Sequence, residues 1–141
     1  MTDAISKLLI GERVNTTENR AALHSALRLP ESAELIVDGQ DVVSDVHQTL
    51  ARMEEFVKKI HAGQWRGFTG KPISQVVNIG VGGSDLGPLM VCEALNQFRP
   101  DDARDIDLHF VSSMDGSQLA NLLLELDAES TLFVLSSKSF G

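Results

Sequence analysis

Apolar residues follow two rhythms along this chain. Through residue 72 they recur mostly at helical spacing; from residue 73 they gather in short uncharged runs, each followed by a turn of serine and glycine. Residues 4–9 read as a short helix ended by Gly11. Asn15, Thr16, Thr17 and Glu18 offer capping side chains before Ala21, Ala22, Leu23, Ala26 and Leu27, and this predicts a helix stopped by Pro30. Residues 35–37, then Asp38 and Gly39, then Val42 and Val43 predict a tight reversal. Ser44 or Asp45 can cap the next element. There Val46, Leu50, Met53, Phe56, Val57 and Ile60 keep helical spacing to His61, and Gly63 stops the helix. Residues 63–71 read as a glycine-rich loop, with Trp65 and Phe68 expected as packing anchors.

The second rhythm predicts a different architecture. Val76, Val77, Ile79 and Val81 make residues 75–81 a strand covered on both faces, as in a parallel sheet. Gly82, Gly83, Ser84 and Asp85 follow at once, and residues 86–98 read as a helix. The unit repeats: a strand at 108–111, a polar turn at 112–117, a helix at 118–126, then a strand at 132–135 followed by Ser136, Ser137, Lys138 and Ser139. Helical crossovers between such strands favour a parallel sheet with right-handed connections. The expected class is α/β, a doubly wound parallel-sheet sandwich of flavodoxin-like type, cut after its third strand. Residues 1–72 are expected to be a helical lead-in with a short hairpin, and residues 73–141 a partial α/β domain. The chain stops just after a third strand whose helix is missing, so it is expected to be a piece of a longer protein, with an exposed edge or apolar surface at the cut.

Composition narrows the possible roles. The chain of 141 residues has a net charge of −8, which argues against a broad nucleic-acid surface. It leaves room for one local anion site, because a few aimed N–H groups hold a phosphate on an acidic protein. The single cysteine, Cys92, excludes an internal disulfide and a cysteine-based zinc site, and its apolar neighbours predict a buried, inert thiol. His24, His47, His61 and His109 show no metal-binding spacing. The sequence lacks the basic start and long apolar run of a signal peptide and has no run long enough to span a bilayer. No membrane association is expected, and the default location is a reducing cytoplasm.

The turns after the strands carry the chemistry. If the strand order is 2-1-3, the loops after the first and third strands face each other at the carboxyl edge of the sheet, where open α/β folds bind ligands. Gly82 and Gly83 permit close backbone approach, Ser84 adds a hydroxyl, and the helix start adds unpaired donors at a positive dipole end. Across from them Ser137 and Ser139 bring hydroxyls and Lys138 an ammonium. A phosphate suits this set. The first loop is not a recognised nucleotide motif: it lacks the third glycine of the dinucleotide fingerprint and the spacing of a P-loop. Taken singly, the glycine turn is also compatible with a purely structural role, and Lys138 with a solvated surface lysine.

Several motifs in register carry a family resemblance. Residues 77–88, from Val77 and Asn78 through Gly82, Gly83, Ser84 and Asp85 to Gly87 and Pro88, are similar to a signature stretch of phosphoglucose isomerases. Ser137, Lys138, Ser139 and Phe140 resemble that family's SK[ST]F phosphate loop. Residues 15–21, 37–39 and 67–71 match the family in the same order, so the resemblance covers nearly the whole chain. It implies two α/β domains of the sugar-isomerase (SIS) type in a cytosolic homodimer. That homodimer interconverts glucose 6-phosphate and fructose 6-phosphate in glycolysis and gluconeogenesis, without metal or organic cofactor. It implies a substrate phosphate held by Gly83, Ser84, Ser137, Lys138 and Ser139. In the family a glutamate moves a proton between C1 and C2 through an enediol. A histidine from the partner subunit and a lysine help to open the ring, and an arginine stabilises the intermediate.

Those groups lie beyond Gly141 in the family, so no catalytic residue is assigned to this chain and it is expected to be inactive alone. Two departures stand out. The chain starts inside the family's usual N-terminal region, and Gly141 stands where a phosphate-binding threonine is usual, through a lost hydroxyl or an artificial boundary. Two other readings stay open: a non-catalytic sugar-phosphate-binding module, and a Rossmann-type nucleotide domain, against which the missing third glycine counts.

Overall fold

A computed structural model of the chain describes residues 2–138. Ser139, Phe140 and Gly141 lie outside the described residues. The chain forms two compact units, residues 1–56 and 57–141, and the division falls within a long helix.

The first unit begins with helix α1, Thr2–Leu9. The helix expected after Asn15 does not form. Asn15 instead exchanges backbone hydrogen bonds with Arg20 at 3.0 and 3.1 Å, and its side-chain oxygen accepts from the Glu18 N–H at 3.2 Å. A side chain that bonds locally in this way offers the backbone an alternative to helix. Only a short 3₁₀ turn, His24–Arg28, follows, with Ala26 fully buried. The reversal is tighter than expected: β1 (Ile36–Val37) pairs with β2 (Gln40–Asp41) around Asp38 and Gly39, both at positive φ. Val42 and Val43 are not in the hairpin but open helix α2, Val42–His61. Its start is served by Asp41, whose carboxylate accepts from the Val43 N–H at 3.1 Å, and not by Ser44 or Asp45. Ser44 accepts from the Gln48 side chain, and Asp45 from that of Gln40.

The second unit is built on the expected β-α-β-α-β run. Strand β3 is Gln75–Ile79, helix α3 Gly83–Leu95, strand β4 Asp107–Val111, helix α4 Gly116–Glu125 and strand β5 Thr131–Leu135. The sheet is parallel with order β4-β3-β5, the 2-1-3 arrangement on which the ligand-edge argument rests. Val77, at the middle of the central strand, is fully buried, and Ile60, Ile73, Ala103, Ile106 and Val111 complete the apolar core among the described residues. Phe133, Val134 and Leu135 of β5 remain exposed. Both helices start earlier than their apolar spacing suggests. Asp115 accepts from the Ser117 N–H at 3.0 Å and so caps α4 at Gly116. Gly82 precedes α3 with no capping side chain.

Two sequence expectations about packing fail here. Phe68 is fully exposed and does not anchor the loop as expected, and Trp65 is only half-buried. Polar contacts hold the loop instead. The Gly67 N–H donates to the Lys71 carbonyl at 2.8 Å, and Arg66 donates to the Gly70 carbonyl at 2.8 Å. The Lys71 ammonium lies 3.0 Å from Asp127 and 2.6 Å from Glu129, in the turn before β5. Cys92 is half-buried, not buried, and its α3 neighbours Met90, Val91 and Leu95 are exposed.

This polar link has a pH signature. The Glu129 N–H and then the Lys71 ammonium hold the Asp127 carboxyl below its usual range. A carboxyl depressed on folding contributes stability that is present above its unfolded pKa and is lost as pH falls through the folded value. The chain is therefore expected to lose stability on acidification below about pH 4. In thermal unfolding across that range, Asp127→Asn should show a shallower acid decline than the parent chain.

Candidate functional site

The parallel register sets the site. Ile79 of β3 stands opposite Leu135 of β5, so both strands end at the same level and their following loops emerge side by side. The ladder continues one step further, with the Ser136 N–H donating to the Ile79 carbonyl at 2.8 Å. Between the two loops lies an open hollow of about 540 Å³, lined by Ile79, Gly80, Val81, Ser84 and, from the other side, Leu135, Ser136, Ser137 and Lys138.

Of the five residues expected to hold a phosphate, Ser84, Ser137 and Lys138 line this hollow. Gly83 opens α3 beside it without lining it, and Ser139 lies outside the described residues. Gly82 has φ +62° and ψ −122°, a conformation that disfavours a side chain at this turn. With no side-chain cap on α3, no side-chain oxygen competes for its first-turn amides. The Ser84, Asp85 and Leu86 N–H groups donate to the Val81 and Gly82 carbonyls at 3.3, 3.0 and 2.8 Å, so it is the positive end of the helix dipole that suits an anion here. The third loop of the same edge, after β4, is different. Its Ser112 and Ser113 N–H groups already donate to the Gln118 side chain at 3.2 and 3.0 Å. The three loops thus differ in one respect: side chains hold the amides of the turn after β4, and no side chain caps the helix after β3.

Three features escape a reading of the sequence alone. The first is Asn78, one residue before the end of β3. Its amide nitrogen donates to the Ser84 carbonyl at 3.1 Å, and its amide oxygen accepts from the Ser136 hydroxyl at 2.7 Å. A polar amide between the apolar Val77 and Ile79 of an uncharged central strand was the available signal. The second is Gly80. A β-carbon there would stand 2.8 Å from the Ser84 carbonyl oxygen and 2.9 Å from its Cβ. The third is Asp85, which is 3% exposed, with one carboxylate oxygen enclosed and lacking a hydrogen-bond partner among the described residues.

None of the four histidines lines the hollow. The His47 ring contacts the Leu29 carbonyl at 3.0 Å, His61 pairs with Asp102 at 3.4 Å, and His109 meets Gln75 at 2.7 Å. His24 is on the surface. A second hollow, of about 550 Å³, is lined by residues of α3, of β4 and of the segment between them, including Cys92, Phe98, Leu108 and Phe110, and shares no residue with the first.

The fold and this edge define a class: a parallel α/β unit with anion-suited loops at its topological switch point. The particular family follows from comparison with known proteins. The phosphoglucose isomerase pattern matches residues 1–141, and the chain belongs to that family. It is 64% identical over 137 residues to glucose-6-phosphate isomerase 2 of Chromohalobacter salexigens, covering 97% of this chain and 24% of that protein. A glucose-6-phosphate isomerase of Psychrobacter cryohalolentis is 58% identical over the same shares. The crystal structure of a glucose-6-phosphate isomerase from Chlamydia trachomatis superposes with a TM-score of 0.70 at 27% identity, over 97% of this chain and 26% of that one. The chain therefore spans about a quarter of the length of the relatives it matches. Among the described residues, no helix is long and apolar enough to cross a membrane.

Gly80 offers a direct check of how closely the first loop is fitted to the sheet. Gly80→Ala should force Ser84 outward and lower the unfolding free energy by about 1–3 kcal/mol, the usual cost of overpacking, as measured by denaturant titration.

Proposed function

We propose that this chain is the part of a glucose-6-phosphate isomerase that grips the phosphate of glucose 6-phosphate or fructose 6-phosphate. The observation that carries the reading is the placement of Ser84 with Ser137 and Lys138 around one hollow, at the edge where α/β sheets bind ligands. Gly83 and Ser139 complete the proposed grip, the first through its amide at the start of α3 and the second through its hydroxyl. The chemistry of each group is suited to the task. Hydroxyls and amides donate to the phosphate oxygens with defined geometry, and the exposed Lys138 ammonium neutralises charge without fixing the orientation.

The isomerisation needs a group that removes a proton from one sugar carbon and returns it to the next, the work of a tuned carboxylate. The carboxylate nearest the first loop, Asp85, is buried and does not line the hollow. We assign it no part in proton transfer. On this proposal the base, the ring-opening groups and the residue that stabilises the enediol come from outside this chain, which spans 24% of the length of one relative. The whole protein is then a cytoplasmic homodimer acting without a cofactor, and this chain supplies its phosphate handle.

Charged hydrogen bonds contribute about 1.5–3 kcal/mol each, and three or four of them, set against the cost of association, correspond to a dissociation constant on the order of 1 mM. Titration of the isotope-labelled chain with inorganic phosphate should move the amide resonances of Gly83, Ser84, Ser137 and Lys138 together in the millimolar range. Shifts confined to other residues would remove the site. Lys138→Ala should weaken binding several-fold without unfolding the chain. In a coupled isomerase assay the purified chain should show no turnover of fructose 6-phosphate, and a rate near that of a full-length relative would contradict the division of labour.

A further inference from the structure

The first loop carries an internal difficulty that points to its solution. Helix α3 contains Pro88, which has no N–H to donate. In a regular helix the amide at position 88 would bond the carbonyl four residues earlier, which is that of Ser84. The Ser84 carbonyl is thereby left without its helical partner, in the residue that faces the hollow. Asn78 fills the vacancy with its amide nitrogen, at 3.1 Å. The same amide group accepts the Ser136 hydroxyl at 2.7 Å, on the other loop. One side chain, rooted in the central strand, therefore grips both loops at once. Gly80 permits the arrangement, since Ser84 sits against the space its missing β-carbon leaves.

We infer that Asn78 is a positioning residue for phosphate binding: it ties the glycine turn to the serine loop, so that Ser84 and the Ser137–Lys138 pair are held at one separation before the ligand arrives. This rests on the phosphate-site reading given above. An amide suits the role because it donates and accepts through two atoms held in one plane. Aspartate in its place would retain the acceptor for Ser136 and set a negative charge against the Ser84 carbonyl. Alanine would remove both side-chain ties and leave the Ser136 N–H on the Ile79 carbonyl. A site whose two halves must be brought together by the ligand itself binds more weakly than one held ready, because the ordering cost is met at binding.

The role separates cleanly from a purely structural one. In Asn78→Ala the Ser84 carbonyl loses its donor, and folding stability falls. Adding Pro88→Ala supplies a backbone N–H that can bond that carbonyl again, but it does not rebuild the link to Ser136. Phosphate affinity of the labelled 141-residue chain is read by amide NMR, and stability by thermal unfolding. Asn78→Ala should weaken phosphate binding by about tenfold, the equivalent of one lost hydrogen bond. The double variant Asn78→Ala/Pro88→Ala should recover stability while affinity stays low. Ser136→Ala, which removes one hydroxyl and leaves Asn78 in place, should also weaken binding. Ser136→Thr, which keeps the hydroxyl, should retain it. Affinity restored along with stability in the double variant would reduce Asn78 to a structural donor and overturn the inference. So would parental affinity in both Asn78→Ala and Ser136→Ala, provided that the parent chain binds phosphate at these loops. Failure of the parent chain itself to shift at Ser84, Ser137 and Lys138 would instead overturn the phosphate-site reading, and the inference with it.

Discussion

Ile79 and Leu135 stand opposite each other at the carboxyl ends of two neighbouring parallel strands, and the candidate site depends on that pairing. Because β3 is central and β5 is its neighbour, two loops separated by more than fifty positions in the chain leave the sheet side by side. A slip of one residue in this register would turn every side chain of β5 to the other face and carry Ser136 away from Asn78. The hydrogen bond from Ser136 to the Ile79 carbonyl and the one from its hydroxyl to Asn78 lock the pairing at the point where it matters for the loops. The burial of Val77, two residues earlier, fixes the same strand from within the core.

The loops then differ in what they leave available. The turn after β4 is closed by Gln118 and Asp115, whose side chains occupy its amides. The turn after β3 has glycine where a cap would stand, so the start of α3 carries no competing side chain. This contrast supports the proposal that two of the three serine-bearing loops at this edge hold the ligand. It also gives Pro88 a place in the account. By removing a helical donor, the proline leaves the Ser84 carbonyl to a side chain from the sheet, which couples the loop to the strand beneath it.

Much of this was legible in the sequence. Uncharged apolar runs at residues 75–81, 108–111 and 132–135 marked the strands, although the first ends at Ile79, and the turns after them marked the candidate ligand edge. Ser84, Ser137 and Lys138 stood out through their place in strand-end turns and through the family resemblance, although taken singly the glycine turn also suited a structural role and Lys138 a solvated surface lysine. Several failures share one physical cause, a polar side chain that bonds to something the local pattern does not display. Asn15 closed a local turn instead of capping a helix, and Asp41 served the start of α2 in place of Ser44 or Asp45. Phe68 looked like an anchor by composition, yet polar contacts between Lys71 and the Asp127–Glu129 turn hold its loop. Asn78 was hidden for the same reason, because its partners lie 6 and 58 positions away and only the fold brings them together.

The central claim is that the two loops grip one phosphate between them, and a crystal structure of the chain soaked with glucose 6-phosphate in phosphate- and sulfate-free solution tests it most directly. The account predicts density for the phosphate in the hollow between the loops, within hydrogen-bonding distance of the Ser84 and Ser137 hydroxyls and close to the Lys138 ammonium. The sugar should extend away from the sheet and meet no carboxylate of this chain. Phosphate density elsewhere, or held by one loop while the other turns away, would contradict it.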